Sequence, residues 1–376
     1  MLKDHPVLSV SFRPFFLLAA LIATINPTLW ASIYLGRFNL ALNSDPLYWH
    51  GHEMLFGFTG ALIAGFLFTA SAHWTNTRPY QGKALLLLVA MWIVERMSFF
   101  LPVPKEIYFL LSNIFLPTVL VFAVNKLKNH RKQLIPFSAI LTGMTLSKLI
   151  YSFGNTYESY EWESFGKMMG VGILRILILL IAGRVLPFFT MKKIGDVQID
   201  VPKFIQILSI ATLLPLVFKD CPPVFYLFAF ILNFSRQIFW RPWLSFKIPI
   251  LFVLNLGVFL INVELFIEWF NSFNDSFSFA QSALHLFLAG GLGVVAIGIM
   301  TRVSLGHTGR NIHANNWTLV AYSFILIGAM IRFVIPVLFP ENFLSSIHFA
   351  SGFWTSGFLI FLIVYGKILW TKRVDA

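Results

Sequence analysis

The chain has one cysteine, Cys221, in 376 residues. A single thiol excludes an intrachain disulfide, a cysteine-based metal cluster and covalent haem attachment through CxxCH. Charge is scarce as well: 12% of residues are charged and 57% are hydrophobic. No hydrophilic stretch is long enough to fold alone, so residues 1–376 are expected to form a single integral membrane domain. A phosphate loop, a dinucleotide fingerprint, a Gly-x-Ser-x-Gly elbow and a zinc-protease helix are all missing, which removes the common soluble catalytic classes. Acidic residues are few, 16 against 28 Lys and Arg, for a net charge of +12. The basic residues sit in short loops between apolar runs, which fits orientation in a membrane and not nucleic-acid binding. The N-terminus is not a typical signal peptide, because its first apolar run is too long and many more follow.

What is present is a succession of apolar runs of about 18 to 25 residues, the length that crosses a bilayer as helix. They predict an all-α, polytopic transmembrane bundle of about twelve helices, near 14–36, 46–71, 82–101, 107–125, 134–153, 167–190, 203–219, 222–240, 247–268, 279–302, 315–337 and 345–370. The second has a clear start, with Asp45 to cap it and Pro46 at its first position. Between the seventh and eighth only Pro222-Pro223 intervenes. With these helices, 19 Lys and Arg fall at the N-terminus or after even-numbered helices, and 4 fall after odd-numbered ones. That asymmetry predicts both termini in the cytoplasm. Gly57, Ala61 and Gly65 on the second helix, and Ala289, Gly290, Gly291 and Gly293 on the tenth, are small residues that let another backbone, or a flat macrocycle, come close. Gly183-Arg184-Val185 and Thr301-Arg302-Val303 both end helices, a weak sign of internal repetition.

Ionisable residues inside a membrane are costly and mark functional sites. The topology sorts them into two clusters. Trp49-His50-Gly51-His52-Glu53-Met54 opens the second helix on the outer side, and His285 lies at similar depth on the tenth. On a regular helix His50 and His52 point about 200° apart, so they suit different partners: a haem iron or copper for one, and another metal, a neighbouring helix or an outer hydrogen bond for the other. Met54 lies one turn beyond His50 and is a plausible soft ligand. Glu53 can orient an imidazole or carry protons. The alternative is that these are interfacial histidines bonded to backbone or lipid headgroups; His348 and His313 fit that description. The inner cluster is cationic: Arg13, Arg78, Arg184, Arg302 and Arg310, with His73 and His307. Converging guanidinium groups suit a carboxylate or phosphate, although the positive-inside rule alone also places arginines there. His50 and His73 are separated by roughly 34 Å of helix, so one small site cannot use both ends.

Five segments together resemble the NnrS family, bacterial haem- and copper-containing membrane proteins associated with the response to nitric oxide. They are His5-Pro6 with Phe12-Arg13-Pro14-Phe15-Phe16; Trp49 to Phe58; Ala64-Gly65-Phe66-Leu67 with Trp74-Thr75; Gly183 to Thr190; and Ala283-Leu284-His285 running to Met300–Arg310. The resemblance implies an inner-membrane, multi-pass protein with non-covalent haem and with copper. By position it implies functional, cofactor-binding roles for Arg13, His50, His52, Arg184, His285, Arg302, His307 and Arg310; Met54 joins them as a cofactor-binding candidate from its place one turn beyond His50. Of these, His50, His52, His285 and His307 would be metal ligands, supported by Glu53 and His73. Two positions depart from the family pattern: Asn255 stands where a His is expected, and His73 where an Asn is. The first weakens the expectation of copper more than that of haem.

Expected partners are membrane lipid and, on the resemblance, nitric oxide or a redox partner. Two other functions compete: an anion or small-molecule transporter, which twelve helices and an arginine cluster suit, and a quinol-linked membrane redox enzyme. The sequence leaves open whether the chain turns over a substrate at all.

Overall fold

A computed structural model describes residues 5–273 and 277–375. Among these the chain is all helix, with no strand. Nine helices are long and apolar enough to cross a membrane: α1 (Phe12–Tyr34), α2 (Pro46–Trp74), α4 (Lys105–Leu127), α5 (Arg131–Thr156), α6 (Tyr160–Ile194), α9 (Pro249–Asn271), α10 (Phe279–Gly306), α11 (Asn316–Leu338) and α12 (Pro340–Trp370). The remaining three expected segments are helical but fall short of that length: α3 (Lys83–Met97), α7 (Lys203–Val217) and α8 (Val224–Phe239). The protein is thus a multi-pass helical membrane protein. Pro215 interrupts α7, whose regular helix ends at Ala211 before a short turn at Pro215–Val217, and Pro222-Pro223 stand directly before the start of α8 at Val224.

Local chemistry explains the α2 start. The Asp45 carboxylate accepts from the backbone N–H of Leu47 (2.7 Å) and Tyr48 (3.3 Å), satisfying two donors that a helix N-terminus leaves over. Pro46 follows at a position that needs no N–H.

The chain divides into two compact units. One comprises residues 1–173, 303–310 and 362–376; the other comprises 174–302 and 311–361. In the first, α1 packs on α2, and α4 packs on α3 and α5. Its interior is aromatic: Phe12, Phe15, Phe16, Phe56, Phe58, Phe68, Phe99 and Phe115 are fully buried. Lipid tails give these rings no reason to cluster on hydrophobicity alone, so close packing against small residues must hold them. Gly65 does this, since a Cβ there would come 3.1 Å from the Phe15 Cβ and 3.0 Å from the Phe16 ring. In the second unit, α8 packs on α7 and α9, and α10 packs on α9 and α11.

Among the described residues each unit has one π-helical turn: Glu53–Phe58 within α2 and Leu286–Leu292 within α10. Such wide turns break the regular hydrogen-bond ladder and occur often at functional sites. Both begin immediately after a histidine of the sequence reading, His52 in one unit and His285 in the other.

Candidate functional site

In the first unit, His50 and His52 turn to different partners. His50 Nδ1 lies 2.9 Å from Asn26 Oδ1 on α1, and its ring stacks on Trp30 at 4.2 Å between centroids. His52 is completely buried. Its Nδ1 is 3.0 Å from Glu53 Oε1 and its Nε2 is 3.3 Å from the Ser112 carbonyl, so each nitrogen faces an acceptor. Met54 falls inside the π turn, which loosens the one-turn alignment with His50 that a regular helix would give.

Glu53 leads into an ion network that hydropathy reading did not single out. Arg96 Nε donates to Glu53 at 2.9 Å, and Arg96 Nη2 donates to Glu95. Lys148 Nζ sits 2.5 Å from the same Glu95 carboxylate, which also accepts from the Phe115 backbone N–H at 2.9 Å. Glu53, Glu95, Arg96 and Lys148 are all buried. Two carboxylates face two cations, so the charges cancel. Glu53, Glu95 and Arg96 are joined by hydrogen bonds, while Lys148 Nζ meets Glu95 as an ion contact without hydrogen-bond geometry. Charge balance of this kind is what makes burial tolerable. Gly57 backs the pair: a Cβ there would lie 3.1 Å from Glu53 Oε2.

The other end of α2 meets the residues of the inner cluster that belong to this unit. The His73 and His307 rings lie 5.3 Å apart, and His307 lies 5.6 Å from Phe12. Arg13 is buried, with Nη1 donating to the carbonyls of Leu369 (2.9 Å) and Thr371 (2.5 Å). Arg310 donates to the Thr308 carbonyl at 3.4 Å and to Thr371 Oγ1 at 3.5 Å. Arg13 and Arg310 therefore bind the C-terminal segment. Arg78 is exposed, and its carbonyl accepts from Lys126.

The second unit holds His285, Arg184 and Arg302. His285 Nδ1 is 2.8 Å from the Gln281 carbonyl, one turn earlier. Arg302 lies with its guanidinium carbon 3.3 Å from the centre of the Phe189 ring, a stacked contact that suits a planar cation. Arg184 is exposed. The glycines after His285 do not leave room for a macrocycle, contrary to the sequence expectation. A Cβ on Gly291 would come 2.3 Å from Ile261, and one on Gly293 would come 2.2 Å from the Trp354 ring, so side chains fill that space. Asn255, the departure from the family pattern, is buried and donates to the Leu251 carbonyl (3.0 Å) and Ser245 Oγ (3.4 Å).

This unit also carries buried charges that the sequence reading passed over. Arg175 is completely buried and donates to Glu264, with Nε at 3.2 Å. Arg236 donates to the Leu179 carbonyl at 2.6 Å. That approach explains Gly183, because any Cβ there would collide with the Arg236 guanidinium. The available signal for these residues was a charge in the middle of an apolar run.

No group of three or more His, Cys, Asp or Glu stands close enough to hold a metal ion among the described residues. A comparison with curated proteins returns no match. A family model described as NnrS protein matches residues 6–373, nearly the whole chain, and on that match the chain belongs to the NnrS family.

Proposed function

We propose that this protein binds haem and copper in the bacterial inner membrane and serves the response to nitric oxide and nitrosative stress. Family membership over residues 6–373 supports the reading. The observation that carries it at residue level is the setting of two imidazoles. His50 and His285 each hold Nδ1 against an oxygen acceptor, Asn26 Oδ1 and the Gln281 carbonyl. An acceptor at Nδ1 keeps the proton there and leaves Nε2 as the basic nitrogen, which is how metal-ligating histidines are oriented. A macrocycle brings its own four nitrogens, so single oriented imidazoles suffice and a three-residue cage is not required. Haem held by one of these imidazoles, and at His285 only on a side other than the filled glycine face, would supply an iron that takes up nitric oxide. His52, completely buried and hydrogen-bonded to Glu53, is assigned a positioning role together with it.

Copper is assigned to the other end of α2, where the His73 and His307 rings face each other at 5.3 Å and imidazole suits the metal. Arg13 and Arg310 in the first unit, and Arg184 and Arg302 in the second, remain candidates for holding anionic groups.

The direct test is the absorption spectrum of full-length protein purified in detergent, with metal analysis. A Soret band with bound iron and copper is expected. A colourless, metal-free preparation would overturn the reading and favour transport.

Orientation belongs to the same proposal. Counted over the twelve segments, the 19-to-4 asymmetry of Lys and Arg favours both termini in the cytoplasm, which requires the shorter α3, α7 and α8 to cross as well. Reporter fusions after Arg131 and Lys193 should report cytoplasm, and a fusion near Tyr160 should report the outside. An external signal at Arg131 would contradict it.

A further inference from the structure

The carboxylates at the end of α9, buried Glu264 and part-buried Glu268, outnumber the cation they face. Arg175, on α6, is completely buried, with Nε and Nη2 both donating to the Glu264 carboxylate. Glu268, one turn further along α9, has Oε1 3.9 Å from the same Nη2. The other groups against Arg175 bring no cation: the Tyr226 ring of α8 at 5.7 Å and the Phe287 ring of α10 at 5.0 Å. One guanidinium against two carboxylates leaves one negative charge over, and unpaired charge in a membrane interior is expensive. A second observation is independent of that count. Arg175 Nη1 is buried and has no hydrogen-bond acceptor among the described residues. A buried guanidinium donor left unmade is costly, so the site is short of one acceptor oxygen in this arrangement.

We propose that Glu268, set by Arg175 and Glu264, is a proton-binding site within the membrane domain. In the arrangement seen, Glu268 carries a proton, the cluster is neutral, and the carboxyl stands off from Arg175. On release, the carboxyl O–H bond breaks and the proton passes to water. The Glu268 carboxylate then closes on Arg175 and gives Nη1 the acceptor it lacks. No electron moves. Glu268 is the member placed to exchange: its side chain is 16% exposed while those of Arg175 and Glu264 are fully buried, and it lies in the last turn of α9, which ends at Asn271. Proton binding here goes beyond the haem and copper reading and does not depend on it.

Infrared difference spectroscopy on the full-length protein in lipid nanodiscs, stepped from neutral to alkaline pH, tests this. The wild type should lose a carbonyl stretch of a protonated carboxylic acid. That band should be absent in E268Q and unchanged in E341Q, which alters an exposed carboxylate elsewhere. A band that survives in E268Q, or no band in the wild type, overturns the proposal. Should E268Q fail to accumulate, the wild type can be treated with dicyclohexylcarbodiimide, which reacts with protonated carboxyl groups in apolar surroundings. Peptide mass spectrometry should find the adduct on Glu268, declining at alkaline pH. An adduct on Glu264 instead, or none on either residue, overturns it.

Discussion

The two π turns stand in opposite electrostatic surroundings. Beside Glu53–Phe58, two carboxylates meet two cations, Arg96 and Lys148, and the Lys148–Glu95 contact closes the balance. Against Leu286–Leu292, Phe287 covers Arg175, the one cation among the described residues that meets Glu264 and Glu268. The same local device, a histidine followed by a widened turn, is thus paired with a neutral cluster in one unit and an unbalanced one in the other. Charge count, more than the helix irregularity, separates a structural network from a site that binds a proton.

The harshest way to break the comparison is to remove the single cation. Arg175→Met leaves the buried Glu264 carboxylate without its cation, beside part-buried Glu268, and should cost about 3–5 kcal/mol, the usual range for deleting one partner of a buried pair. Thermal unfolding in detergent, or loss of accumulation, reads this out. Stability close to wild type would show that Arg175 is not the charge that holds this part of the unit together.

Lys148→Met is the sharper variant. It gives the first unit the charge count of the second, two carboxylates to one guanidinium. The loss of stability should be smaller than for Arg175→Met, because Arg96 still bridges Glu53 and Glu95. The variant should also gain a protonated-carboxyl infrared band that the wild-type cluster lacks. A variant with no added band would mean that charge count does not set protonation in these clusters.

Packing should separate the two turns as well, by a smaller amount. Gly291→Ala drives a methyl to within 2.3 Å of Ile261 in a filled interior and should cost about 1–3 kcal/mol. Gly57→Ala meets a carboxylate oxygen at 3.1 Å, a gentler contact at the far end of a side chain, and should cost less. The reverse order in melting temperature would contradict the packing described for the two turns.

The helices were legible because hydropathy and length alone define a membrane span. All twelve expected segments are helical, and the Asp45-Pro46 start was readable as capping chemistry. Three fall short of the nine long apolar spans: α3 ends on the charged Glu95-Arg96 pair, Pro215 interrupts α7, and α8 begins only after Pro222-Pro223. The ion clusters were not legible as clusters. Arg96 finds Glu53 across 43 residues and Arg175 finds Glu264 across 89, and nothing in local periodicity encodes such pairs. The π turns have no compositional mark. The glycines of α10 misled, because a small residue signals close approach without saying whether a ring of the protein or a ligand makes it. The neighbouring histidines were recognisable by residue type, and their separate directions followed from helix geometry.

The central functional claim is that the imidazoles at these turns serve a metal centre. The measurement that tests it most directly is the haem and metal content of purified His50→Ala, His285→Ala and His130→Ala proteins, alongside the wild type. At least one of the first two should abolish the Soret band or shift it strongly, while His130→Ala, a change outside both turns, should match the wild type. Wild-type spectra and metal content in both His50→Ala and His285→Ala would contradict the account and leave His73 and His307 as the better ligands.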